Sequence, residues 1–285
     1  VLGFGTTAPN DKILLGFIGV GKQGRGLMTN FVNYDSASVV AVSDVDVNKM
    51  SFFSETFQKA LAKKNKPSQN LDEIAAYREL LERKDIDAVV IASPDHWHAQ
   101  MAVDAAKAGK DIYCEKPLSS SVAEGRAMVD SARKYNRVFQ TGSMQRSWDR
   151  FRQGVNLIRN GYIGEIKEVK VAIGAPYKAC DLPSQPIPET IDWNAWIGPA
   201  PYRGYHFDLA CPIEDKRWGM WRDYTPFGGG MITDWGAHMF DIVQWALDMD
   251  DTGPLHFTPP GGVAVEGLTY TYANGITVTH TKWGR

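Results

Sequence analysis

Apolar positions in the first half of the chain fall into short continuous runs, and between the runs they recur at helical spacing. Runs at 13–18, 39–42, 88–92, 112–114 and 138–139 read as buried strands, because a strand covered on both faces needs no polar alternation. Segments 47–64, 78–83, 97–108 and 122–135 read as helices, and 71–77 holds a short strand. A further helix comes after the first strand, with Leu27, Met28, Phe31 and Val32 turned inward. Strand alternating with helix predicts a doubly wound parallel sheet of about six strands.

Past Gly142 the pattern changes. Trp148, Phe151, Val155 and Ile158 form one helical stripe, and Val169, Val171 and Ile173 then alternate with Glu168, Lys170 and Ala172, as in a sheet with one wet face. A long irregular stretch, 176–226, leads to Gly228, Gly229 and Gly230 and a helix over 233–247. Runs at 268–273 and 276–283, joined at Asn274-Gly275, read as a hairpin with a type I′ turn. The expected class is α/β: a doubly wound parallel sheet over 1–142, then an α+β domain over 143–285 with an open, mainly antiparallel sheet. No closing strand or helix comes after the hairpin, so the second domain is expected to be incomplete at its C-terminus.

Composition narrows the function without naming it. The 285 residues, 44% hydrophobic and 22% charged, are ordinary for a globular chain of two domains. A formal net charge of -2 supplies no overall basic field for nucleic acid or an anionic membrane. No apolar stretch approaches the roughly 18 residues that span a bilayer, so neither a nucleic-acid partner nor membrane insertion is expected. Cys114, Cys180 and Cys211 lack C-x-x-C spacing and indicate neither a disulfide framework nor structural zinc. The opening 1–9 lacks the basic start of a signal peptide and reads equally as the new start left by a removed signal or as a loose lead.

Candidate chemistry enters at the end of the first strand. Gly19, Gly21 and Gly24 have the G-x-G-x-x-G spacing of a Rossmann dinucleotide fingerprint, with Lys22 and Gln23 inside it. Gly19 suits the tight turn, Gly21 lets the backbone approach a pyrophosphate, and Gly24 lets the next helix pack close to the strand. Asp44 closes the second run twenty residues beyond Gly24. A carboxylate there accepts from adenosine ribose hydroxyls and repels a ribose phosphate, so NAD is expected over NADP.

The second domain offers acid–base groups. Asp234 and His238 lie four apart in the predicted helix, on one face with Asp241 and Trp245, while Met239, Phe240, Val243 and Ala246 dock the other. Such a row is either solvated or lines a site, and a histidine of ordinary pKa about 6.5 suits proton transfer at neutral pH. His96 and His98 suggest a metal at first, yet no third ligand sits at a supporting spacing, so none is expected. Trp193, Trp196, Trp218, Trp221 and Trp235 gather in or beside the irregular stretch, with Arg217 and Arg222; they suit either a core or a carbohydrate site. Trp221 is expected to contact substrate, as is Arg146 just past the last sheet strand.

Five motifs carry a resemblance over 13–284: Gly19-Val20-Gly21-Lys22-Gln23-Gly24, Ser93-Pro94-Asp95-His96-Trp97-His98, Ala108-Gly109-Lys110, Cys114-Glu115-Lys116-Pro117 and Asp234-Trp235-Gly236-Ala237-His238. Together they resemble the Gfo/Idh/MocA family, the glucose–fructose oxidoreductase and inositol dehydrogenase group of NAD(P)-dependent sugar enzymes. The resemblance implies that Lys116 and His238 face the substrate carbon opposite the nicotinamide, with Asp234 one turn from His238. It implies a cis Lys116-Pro117 bond, and it adds Ser93, Pro94, His98, Glu115 and Lys116 to the cofactor site. Family members usually continue further, through a sheet that commonly forms an oligomer surface, so a homo-oligomer through the C-terminal sheet is expected. The Trp-rich second domain is similar to exported bacterial members, which favours a periplasmic over a cytoplasmic setting.

The leading expectation is an NAD-dependent dehydrogenase acting on a secondary alcohol of a sugar, glycoside or cyclitol, with Lys116, Asp234 and His238 as one catalytic and substrate-binding unit drawn from both domains. The alternative is a glycoside hydrolase that oxidises transiently and returns the hydride. Relatives of that kind generally lack Glu-Lys-Pro, which is present here at 115–117. A regulator with a dead site and a metal-dependent hydrolase stand behind these.

Overall fold

The computed structural model describes residues 11–261 and 267–281. The opening 1–9 and Trp283, with the end of the expected hairpin, lie outside the described residues.

The first part of the chain alternates as its apolar runs predict. The elements are β1 (Ile13–Ile18), α1 (Lys22–Phe31), β2 (Ala37–Ser43), α2 (Val47–Lys63), β3 (Asp72–Ile74), α3 (Tyr77–Glu82), β4 (Ala88–Ile91), α4 (Asp95–Lys107), β5 (Asp111–Cys114), α5 (Val122–Lys134) and β6 (Phe139–Thr141). All six strands are parallel, in the order β3-β2-β1-β4-β5-β6. Successive residues of a strand point to opposite faces, and the core divides accordingly. Phe17 and Val90 enter one cluster with Met28, Phe53 and Phe57, while Ile18, Val89 and Ile91 enter another with Leu80, Ala102, Ala105 and Met128. Helices on both faces explain why these strands carry no polar alternation. In α2, Asp46 caps the first turn by accepting from the Asn48 N–H, and Met50, Phe53, Phe57 and Leu61 form the buried stripe.

Beyond β6 come α6 (Asp149–Arg159), β7 (Glu168–Ala172), β8 (Lys178–Ala179), α7 (Trp193–Ile197), β9 (Tyr224–Thr225), α8 (Met231–Asp234), α9 (Gly236–Ala246), β10 (His256–Thr258), β11 (Thr269–Thr271) and β12 (Thr277–Thr281). The chain forms two compact units, one of 1–142 with 181–221 and the other of 143–180 with 222–285. The expected boundary after Gly142 is present, but 181–221 departs from the expected 143–285 domain and folds with the first unit. Backbone bonding accounts for this: the Val47 N–H donates to Thr190 O at 3.0 Å, the Asp192 N–H donates to Val45 O at 2.9 Å, and Asp46 bridges Ile191. Trp193 stacks on Trp196 at 4.6 Å, and the indole N–H of Trp97 donates to Trp196 O at 2.9 Å. These two tryptophans of the irregular stretch are buried packing residues, and no open ring face is left for a sugar.

In the second unit the sheet order is β10-β11-β12-β7. β10 and β12 run antiparallel to β11, whereas β7 joins β12 in parallel. Val171, Ile173, Tyr270, Tyr272 and Val278 pack with Val243, Met239 and Phe240 of α9, the docking face the helical spacing predicts. Three local expectations are corrected. Trp148 caps α6 and is exposed, so Val155 alone of that stripe is fully buried. The helix expected over 233–247 is two helices interrupted at Trp235, where His238 and Met239 both direct their N–H groups to the Trp235 carbonyl. The hairpin turn is not type I′. Only Gly275 has positive φ, at 83°, and the Gly275 N–H bonds to Tyr272 O; this is a three-residue loop, 273–275, with glycine in the left-handed position.

Candidate active site

The glycine loop has room for a dinucleotide. Gly21 caps α1 with no side-chain hydrogen bond and no acidic residue in the first turn, so the helix N-terminus directs its N–H groups and partial positive charge outward. A Cβ built on Gly21 would meet no atom within 4 Å, whereas one on Gly24 would lie 2.4 Å from Gly19 O. Gly24 thus permits the close packing of α1 on β1, and Gly21 keeps clear the side a pyrophosphate approaches. The loop stands at the carboxyl end of β1, between β2 and β4, where the strand order reverses. Asp44, just past β2, accepts the Val20 N–H at 2.9 Å and the Asp46 N–H at 3.1 Å. Two bonds fix the carboxylate and leave lone pairs for ribose hydroxyls. Arg25 shares this corner: it donates to Val20 O at 3.2 Å, lies 5.0 Å from the Phe52 ring, and interacts electrostatically with Asp44. These residues fit NAD.

Four other expected cofactor contacts are engaged within the first unit. The Lys22 ammonium donates to the carbonyls of Lys216 and Arg217 and lies 5.8 Å from the Trp218 ring. The Gln23 amide donates to Glu115 Oε1 at 2.9 Å, and the Tyr113 hydroxyl donates to the same oxygen at 3.2 Å. Glu115 is 3% exposed, and burial pushes its carboxyl above the usual range, against the pull of Gln23 and Lys116. Its side chain is therefore a brace inside the unit. His98 is likewise enclosed at 1% exposure: Nδ1 lies 2.7 Å from Pro117 O and Nε2 lies 3.0 Å from Ser93 O. Ser93 and Pro94 form the turn from β4 into α4, with Pro94 at the helix cap. Lys116 comes after β5, is partly exposed, and precedes a cis bond to Pro117, as the resemblance implies. His96 Nε2 lies 3.1 Å from Trp196 O, so the two histidines of this motif bond to different backbone carbonyls. Among the described residues no group of three or more His, Cys, Asp or Glu is disposed to hold a metal.

In the second unit Asp234 and His238 are each 8% exposed, which removes the reading of a solvated helix face. Gly230 starts α8 at φ 77°, and a Cβ there would lie 2.2 Å from the Pro176 backbone. A Cβ on Gly228 would lie 2.7 Å from Arg222 O, so the glycine run brings the helix start close to Arg222. Arg222 Nε then lies 3.7 Å from Asp234 Oδ1, and the Trp235 ring stands edge-on to His238 at 5.7 Å. The spacing alone shows Arg222 as one of several sugar-contact candidates; the three consecutive glycines are the signal that something presses close there. Asp241, expected to continue the polar row, is paired with Arg146.

Arg146, expected to contact substrate, is a tie between two carboxylates. Its Nε and Nη2 donate to Asp241 at 2.8 Å each, and Nη1 and Nη2 donate to Asp250 at 2.9 and 2.8 Å. With its planar fork spent on two carboxylates it has little left to offer a ligand. Trp221 is buried, whereas Trp218 is 53% exposed.

Comparison with known proteins matches both parts of the chain. Residues 13–143 match the model of an oxidoreductase family with an NAD-binding Rossmann fold, and 175–279 match the C-terminal alpha/beta domain of the same family. A glycosyl hydrolase family 109 protein of Shewanella pealeana is 33% identical over 55% of this chain and 34% of its own length. The uncharacterized oxidoreductase YrbE of Bacillus subtilis is 25% identical over 93% of this chain and 65% of its own. The chain thus matches about a third and just under two thirds of these relatives. The 3-ketoreductase KijD10 of Actinomadura kijaniata, solved with NADP and TDP-benzene, superposes with a TM-score of 0.65 at 20% identity, covering 96% of this chain and 71% of that one.

Proposed function

The chain belongs to the Gfo/Idh/MocA oxidoreductase family, with its NAD-binding Rossmann domain, and from that premise we propose that it is an NAD-dependent dehydrogenase of a sugar, glycoside or cyclitol secondary alcohol. The observation that carries the reading is the open side of Gly21 at the uncapped N-terminus of α1, with the fixed Asp44 carboxylate at the end of β2.

Gly19, Gly21 and the first turn of α1 would hold the pyrophosphate, and Asp44 the adenosine ribose. NAD, when bound, supplies the hydride acceptor. His238 takes the hydroxyl proton as general base, in a setting kept largely dry by its burial. Asp234 orients it, itself held by Arg222. Lys116, at the carboxyl edge of the first unit's sheet, donates to the substrate oxygen and stabilises the negative charge that develops there. Trp218 supplies an apolar face beside the glycine loop. We further propose a homo-oligomer through the four-stranded sheet, one face of which carries the ordered pairs Thr269–Thr279 and Thr271–Thr277.

Incubating the protein with NAD and a panel of sugars, glycosides and cyclitols tests the function. NADH formation that a chelator leaves unchanged is expected. Hydrolysed glycoside without NADH would instead select the transient-oxidation reading, to which the family 109 relative points.

A further inference from the structure

His98 bonds at both ring nitrogens to groups that can only accept. Nδ1 lies 2.7 Å from Pro117 O and Nε2 lies 3.0 Å from Ser93 O, and a carbonyl oxygen has lone pairs but no proton. Each bond therefore needs an N–H on the ring, and a neutral imidazole has one. A neutral ring would set the lone pair of one nitrogen against that of a carbonyl oxygen 2.7 or 3.0 Å away, an unfavourable pairing in an interior where the residue is 1% exposed.

We propose that His98 is a buried, doubly protonated imidazolium that clamps the Ser93 carbonyl after β4 to the Pro117 carbonyl after β5, and thereby positions Lys116. The second half rests on the reading of Lys116 as the group that meets substrate; the first does not.

A buried charge needs partners of opposite sign, and buried carboxylates lie on α4, which carries His98, and at the end of β5, beside the carbonyl its ring meets. Asp95, three residues earlier on α4 and so on the same side of the helix, is buried. Glu115 is buried at the end of β5. Both act on the neighbouring Cys114 thiol, which burial first, then Glu115 and Asp95, push upward, so the two carboxylates surround the end of β5 that the clamp secures. Lys116 is the cation on that strand end, and Ala99 and Ala102 of α4 belong to the apolar core. The clamp explains why a helix-start histidine sits inside the first unit: its ring joins the exits of two adjacent strands, and Lys116 is the residue immediately before one of the clamped carbonyls.

The test is the ring-proton spectrum of the full chain labelled with nitrogen-15 histidine, recorded about two pH units above the ordinary histidine pKa of about 6.5. Two N–H protons on the His98 ring are expected, assigned by their proximity to Ser93 and Pro117 protons, while free histidine has lost one. A single ring N–H with a bare nitrogen overturns the charged clamp. Positioning is read from His98→Gln, which cannot bond in two opposed directions from one ring: kcat is expected to fall on the order of 10²-fold with NAD affinity little changed. Unchanged turnover in a folded His98→Gln overturns the positioning role. If that variant does not fold, His98→Asn and the spectrum of the unaltered protein carry the test. Failure of the unaltered protein to oxidise any substrate would count against the proposed function, and the ring protons would still decide His98.

Discussion

The Gln23 amide in the glycine loop donates to the buried Glu115 carboxylate at 2.9 Å, which ties the start of α1 to the residue before Lys116. Burial pushes that carboxyl up, and the bonds from Gln23 and Lys116 offset only part of the push. Unfolded, a glutamate ionises near about 4.3, so between that pH and the raised folded value the folded state holds the extra proton. Stability therefore falls as pH rises through this window. Glu115→Gln keeps a hydrogen-bonding partner and removes the charge: its melting temperature relative to the parent is expected to be higher at pH 8 than at pH 4. An equal difference at both pH values would remove Glu115 as the cause.

Cofactor choice turns on Asp44 with Arg25 beside it. The carboxylate repels a ribose phosphate, and the guanidinium offsets part of that repulsion. NAD is expected to bind at least about tenfold more tightly than NADP, which is ~1.4 kcal/mol. Asp44→Ser should narrow the gap and Arg25→Ala widen it, as read by titration calorimetry with each cofactor. Equal affinities in the unaltered protein would contradict the assignment.

His238→Ala and Lys116→Ala are each expected to lower kcat by about 10²- to 10⁴-fold with NAD affinity retained. Asp234→Asn, which leaves the shape but not the charge, should show a smaller loss and a shifted pH profile. Near-normal turnover in either alanine variant would return that residue to a structural role.

Arg146→Ala leaves Asp241 and Asp250 without their shared partner. The site is about one third open to solvent, so the expected cost is about 1 kcal/mol rather than the larger figure for a buried pair. Hydrogen bonding to Arg146 holds the Asp250 carboxyl below its ordinary range. Its stabilisation is present above the unfolded value of about 3.9 and is lost as pH falls through the folded one. Denaturant midpoints of variant and parent should therefore converge in acid and differ at neutral pH.

The first unit is legible in the sequence because its signals are local. The apolar runs, Gly19 to Gly24 and Asp44 each depend on their own few neighbours, and the expected sheet of about six parallel strands is present. The features that the sequence hides depend on partners far along the chain. Nothing near Arg146 announces Asp241 or Asp250, and nothing near Thr190 announces the bond from Val47. His98 looks like a cofactor contact because sequence order places it beside Ser93 and Pro94, whereas the fold turns its ring inward to Pro117. The helix break at Trp235 and the turn at Asn274-Gly275 mislead for another reason: neither spacing reveals the backbone bonds made there, His238 and Met239 N–H both to Trp235 O and Gly275 N–H to Tyr272 O. Of the expected catalytic groups, the burial of Asp234 and His238 goes beyond what a four-residue spacing can tell.

Because 181–221 completes a unit whose sheet ends at Thr141, that unit is assembled late in the chain's synthesis. At roughly 5–20 residues per second, the ribosome adds the intervening 80 or so residues in about 4–16 s. Until the later segment is made, the Val45 carbonyl and the Val47 N–H lack the partners that Asp192 and Thr190 supply, and water takes their place.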